Sequence, residues 1–124
     1  MKQPKKTNEL YGLPGSIPLF GELFDVVPLT NEQQQQHAAA NGERLLGLFD
    51  PEEQTICVKE GLPPLLRLAV FFHELAHLRL MVTGVGAMLS NEIEEAMCDW
   101  VGFWISEMFS SGLLQWGPKV NGAP

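Results

Sequence analysis

The sequence predicts an α+β domain, and three observations carry that prediction. Two β-prone runs, residues 44–49 and 55–59, flank the turn-rich Asp50-Pro51-Glu52-Glu53-Gln54 and read as a hairpin. The longest helix-compatible stretch, about 64–82, follows Pro63-Pro64, with Pro64 suited to the first helical turn. A second helix, about 91–110, carries a cluster of carboxylates close behind it.

Taken in order, residues 1–15 read as a flexible lead with turn chemistry at Leu13-Pro14-Gly15. Short β-prone pieces follow at 17–20 and 23–28, and the proline in each points to edge or irregular positions. Thr30 with Gln33 three residues on forms a capping-box pattern opening a helix that Asn41-Gly42 closes. After the hairpin, Gly61 breaks the strand. The 64–82 helix is apolar nearly all round, which predicts a central, buried element. Thr83-Gly84-Val85-Gly86 ends it. In the next helix Asn91 reads as the N-cap, paired with Glu94. Its apolar face reads as Ala96, Val101, Ile105, Met108 and Phe109, with bulk from Trp100, Phe103 and Trp104. One domain over 16–112 is expected, with 113–124 as a tail.

Composition narrows the function classes. With 8 Lys and Arg against 15 Asp and Glu, the net charge of −7 argues against a nucleic-acid partner. The basic tip of Lys2, Lys5 and Lys6 reads as a solvated terminus. No run of 18 apolar residues suits a membrane span, and no apolar stretch suits a signal peptide. Cys57 and Cys98 are too few for a disulfide framework and read as free thiols. A soluble, cytoplasmic protein is expected.

His73-Glu74-Leu75-Ala76-His77 is an H-E-x-x-H zinc signature. Imidazoles at i and i+4 share one helix face, so both can reach one Zn²⁺ at roughly 2.0–2.1 Å. Glu74 projects beside that position, placed to act as general base toward the metal's water. Histidines and a glutamate in so apolar a helix need partners, and a metal supplies one.

A third protein ligand is required. Histidine versions of the motif fail: Leu80, Met81 and Thr83 stand where they would need other residues, and no histidine follows His77. The ligand is therefore carboxylate or thiolate. Glu95 is assigned, in preference to Glu92, Glu94 or Cys98, because it aligns at i, i+4 with Asp99 and near Gly102, whose small size suits close helix packing. Asp99 then falls where it can accept the Nδ1–H of a histidine ligand, His73 for preference, and fix its tautomer. Arg67 and Arg79 are its alternative partners. His37 and Tyr11 are the remaining candidates for stabilising an oxyanion.

With H-E-x-x-H followed by Glu95-x-x-Cys98-Asp99-x-Val101-Gly102, the chain resembles the glutamate zincins, and among them small ImmA/IrrE-type metallopeptidases, often phage- or mobile-element-encoded. Cys98 and Gly102 stand where that family tends to have alanine. The resemblance spans roughly residues 44–110. It implies a zincin-like fold, a small twisted sheet packed on the active helix and the Glu-bearing helix. It also implies a zinc-dependent peptidase acting on a protein or peptide, in some relatives a repressor. The chain lacks a helix-turn-helix domain and much of a C-terminal subdomain, which weakens that regulatory expectation. In zincin-like folds the strand before the active helix borders the cleft, so Thr55, Ile56, Cys57, Val58 and Lys59 are expected to form the edge that pairs with substrate. The alternatives are a metal-dependent sensing or binding module, and an accessory protein active only with a partner.

Overall fold

The computed structural model describes residues 10, 12–41 and 45–117, apart from the side chains of 37–41. It is an α+β arrangement: β1 (Ser16–Leu19), β2 (Glu22–Pro28), α1 (Asn31–Asn41), β3 (Gly47–Asp50), β4 (Thr55–Val58), α2 (Pro64–Thr83), a short 3₁₀ turn (Val85–Met88) and α3 (Asn91–Ser110). The four strands form one sheet in the order β1-β2-β4-β3.

Local chemistry explains most of the boundaries. β1 and β2 pair antiparallel through Phe20 (φ 53°) and Gly21 (φ 79°), two successive positive φ values as a tight hairpin turn requires. The capping box at α1 is formed in both directions: Gln33 N–H donates to Thr30 Oγ1, and Thr30 N–H donates to Gln33 Oε1. Pro64 sits in the first turn of α2, where a missing N–H costs nothing. Gly84, left-handed at φ 79°, caps the other end.

The core lies between the sheet and α2. Ile56 and Val58 on β4, with Phe24 and Val26 on β2, face Phe71, Val70 and Leu78 of α2. Each such buried side chain contributes about 1.5–3 kcal/mol. The sheet register puts Gly47 and Phe49 of β3 on the same face, opposite Val58 and Ile56.

Several sequence expectations are corrected. β4 is an inner strand, parallel to β2 on one side and antiparallel to β3 on the other. Thr55, Ile56, Cys57 and Val58 therefore have no free edge, and Lys59 lies just past the strand with its N–H given to Leu46 O. The edge strands are β1 and β3. β2, despite Pro28, is also internal, because the proline falls at its last position.

α2 does lie centrally, between the sheet and α3, and its exposed apolar residues, Leu65, Met81 and Val82, fall in its first and last turns. α3 buries Cys98, Gly102 and Ser106, while Ala96, Trp100, Phe103 and Trp104 face outward. Its N-cap is Ser90, whose Oγ accepts from Ile93 N–H, one residue earlier than expected.

The lead and the tail are also less detached than expected. Leu10 and Leu13 pack on the core. Trp116 stacks among Phe71, Phe72 and Phe109 and donates its indole N–H to Gly12 O at 3.0 Å. Tyr11, Lys2, Lys5 and Lys6 lie outside the described residues, as does the His37 side chain. Among the described residues no helix is long and apolar enough to cross a membrane.

Candidate metal centre

α2 and α3 run antiparallel, and small residues let them touch. A Cβ at Gly102 would lie 2.5 Å from Ala69 O and 3.2 Å from His73 N, so only glycine permits this approach. One turn on, the buried Ser106 Oγ donates to Leu65 O at 2.7 Å. In the other direction along α3 come Asp99, Glu95 and Glu94, which this spacing lays across His73 and His77.

There the side chains converge. His73 Nε2 and His77 Nε2 are 3.0 Å apart. Glu95 oxygens lie 3.3 Å from the first and 2.8 Å from the second. The far nitrogens are both occupied by carboxylates. His73 Nδ1–H donates to Asp99 Oδ1 at 2.8 Å, and His77 Nδ1–H donates to Glu94 Oε2 at 2.6 Å.

That pattern has a chemical consequence. An imidazole that gives its Nδ1–H to a carboxylate presents a lone pair at Nε2. Two such lone pairs then face each other, beside a third acceptor on Glu95. Three acceptors with no donor between them repel unless a cation joins them. His73, His77 and Glu95 offer ligand atoms all within 4.8 Å of one another. Tetrahedral Zn²⁺ with bonds near 2.0–2.1 Å separates its ligands by roughly 3.3 Å. The observed triangle fits that size with a few tenths of an ångström of opening. The donor set thus suits zinc.

Glu74 is buried beside this triangle, its Oε2 3.9 Å from His73 Nε2. Burial pushes its carboxyl from 4.5 up to about 7; the nearby His77 works against that and Glu95 adds to it. The close pass of β3 shields it: a Cβ at Gly47 would meet Val70 Cγ1 at 2.7 Å and Glu74 Cγ at 3.2 Å. An open cleft of about 1060 Å³ runs between β3 and the helix pair, with the donor atoms on its floor. Its walls include Leu46, Leu48, Leu66 and Phe103, and Phe49 stacks on His77 with ring centres 6.2 Å apart.

The described residues singled out in the sequence now have positions, while Tyr11 and the His37 side chain lie outside them. His73, Glu74, His77, Glu95 and Asp99 come together and all line the cleft. Arg67 and Arg79 are not at Asp99: Arg67 donates to Leu62 O, and Arg79 lies over the Phe20 ring. Cys98 is fully buried, and burial followed by four nearby carboxylates pushes its thiol up to about 12, which disfavours a thiolate ligand. Cys57 is buried and free too, with Gln33 Nε2 at 3.8 Å from its sulfur.

Glu94 is the residue whose place was missed. Read as a capping partner of Asn91, it instead grips His77. Ser90, two polar positions before Glu92, was the available signal, since it shifts the cap by one residue and releases Glu94. β3 takes the place at the cleft that was assigned to residues 55–59.

No protein-family model, no curated protein and no solved structure matches the chain.

Proposed function

We propose that this chain is a zinc-dependent peptidase of the glutamate-zincin kind, resembling the ImmA/IrrE-type enzymes, with His73, His77 and Glu95 as metal ligands. One observation carries the reading: two imidazole Nε2 atoms 3.0 Å apart, each oriented by a carboxylate on its other nitrogen, with Glu95 bridging them. Carboxylate–histidine pairs of this sort fix the tautomer and raise ligand basicity. Zinc held there would polarise a carbonyl and bring its water's pKa to about 7.

The remaining work falls to the chain itself. Glu74, buried with its Oε2 3.9 Å from His73 Nε2, is placed to accept a proton from the attacking water and return it to the leaving amine. Its burial keeps bulk water from competing for that proton. Among the described residues β3 has a free outer edge, along which an extended peptide can lie with its backbone held by main-chain hydrogen bonds. The apolar walls favour a peptide with nonpolar side chains near the cut.

Glu74→Gln is the test. The variant should bind zinc as tightly as the parent while cleavage of a fluorogenic peptide library falls by about 10²–10⁴. Undiminished cleavage would remove Glu74 from the mechanism. A parent that binds zinc yet cuts nothing would leave a sensing module, and one that binds no zinc would end the proposal.

A further inference from the structure

The outward side of α3 carries a row of large apolar residues that nothing in the described chain covers. Ile93 is 52% exposed, Met97 42%, Trp100 66% and Trp104 51%. They lie directly opposite Cys98, Gly102 and Ser106, the side that seats on α2. Their steps along the helix are four, three and four residues, the seam spacing of a coiled coil. Trp100 and Trp104 stack on each other at 5.3 Å, so the row is a ready-formed ridge.

We propose that this face binds a second copy of the chain, α3 against α3, antiparallel about a two-fold axis. The spacing argues for the partner and its direction. Four-three-four reads the same in reverse, so an antiparallel copy puts Ile93 against Trp104 and Met97 against Trp100. Each layer then pairs a large ring with a smaller side chain. A parallel copy would instead set Trp100 on Trp100 and Trp104 on Trp104, two oversized layers beside two small ones. Such self-matching is what an isologous interface requires.

Area supports the same occupant. The four side chains leave on the order of 500 Å² open, at the upper end of what a monomer exposes in one patch. Two copies together would cover about 1,000 Å² from these residues alone, the lower bound for a specific interface. The metal centre lies on the other side of α3, so pairing leaves the cleft open on both copies.

Sedimentation velocity over a range of concentrations should show a monomer–dimer equilibrium. Trp100→Glu and Met97→Lys, both at exposed positions, should each weaken it more than tenfold while circular dichroism stays unchanged. Mixed single variants Met97→Cys and Trp100→Cys should form a disulfide between unlike chains faster than either forms one with itself; native Cys57 and Cys98 are buried. A chain that stays monomeric at every concentration overturns the proposal, as does a dimer indifferent to both charged variants. Faster self-linking of Met97→Cys overturns the antiparallel arrangement.

Discussion

Around the three donor atoms, α2 and α3 hold their side chains by different means. His73, Glu74 and His77 of α2 are packed into the protein, fixed by the sheet on one side and α3 on the other. Glu95 and Asp99 of α3 reach in from solvent, with side chains 59% and 64% exposed. The buried half supplies fixed geometry and bears the desolvation of Glu74. The exposed half supplies negative charge that water already solvates, so it adds little strain. A centre divided this way is rigid where direction matters and hydrated where charge accumulates.

The joint between the halves is the place to break them apart. Gly102→Val would drive a side chain into the Ala69 carbonyl and the His73 amide, which are backbone and cannot swing aside. Urea denaturation should show a loss of about 3–4 kcal/mol, at the upper end for overpacking. Zinc affinity should fall with it, since the α3 carboxylates retreat. A variant of parental stability would mean that the helices are not in close contact at this point.

The strain on the α2 half is readable through pH. In the metal-free protein Glu74 has a folded-state pKa of about 7, above the ordinary 4.5. Between those values the folded chain keeps a proton that the unfolded chain has released. Stability from this group is therefore full below about pH 4.5 and is lost as pH rises through 7, by on the order of 3 kcal/mol. Chelator-treated Glu74→Gln should lack this slope and be the more stable protein at about pH 8. An equal slope in both proteins would place the titrating group elsewhere.

Asp99→Asn and Glu94→Gln sharpen the comparison within the centre. Each should lower zinc affinity by about 10–100-fold, measured by competition with a chromophoric chelator. Equal losses would show that the two imidazoles depend alike on α3; a negligible loss for Glu94→Gln would leave His77 oriented by α2 and Phe49 alone. Smallest is Ser106→Ala, which removes one buried hydrogen bond to Leu65 O and should cost about 1 kcal/mol in thermal unfolding.

What the sequence made legible was local. The Thr30–Gln33 box, the 50–54 turn, Pro64 at a helix start and the four-residue step from His73 to His77 all depend on neighbours within one turn or hairpin. Asp99 beside His73 also followed from helical spacing. The sheet order did not, because the β2–β4 pairing joins residues thirty apart and nothing in either strand names its partner. That pairing is what moved the cleft edge from β4 to β3. α3 was misread for a different reason. Periodicity picks out large apolar residues as the buried face, but here the tightest face is cysteine, glycine and serine; Val101, Ile105, Met108 and Phe109 are half-buried, and Ala96, Trp100, Phe103 and Trp104 are left outside. Glu94 was lost to a one-residue shift of the N-cap from Asn91 to Ser90.

The bond from Trp116 to Gly12 spans 104 positions of the chain. Closing a loop of that length costs more chain entropy than closing any strand pair of the sheet. Because the indole rests on three phenylalanine rings, its emission changes when the clasp closes. The clasp therefore reports when the two ends of the described chain part, and Trp100 and Trp104 report separately on the outward face of α3.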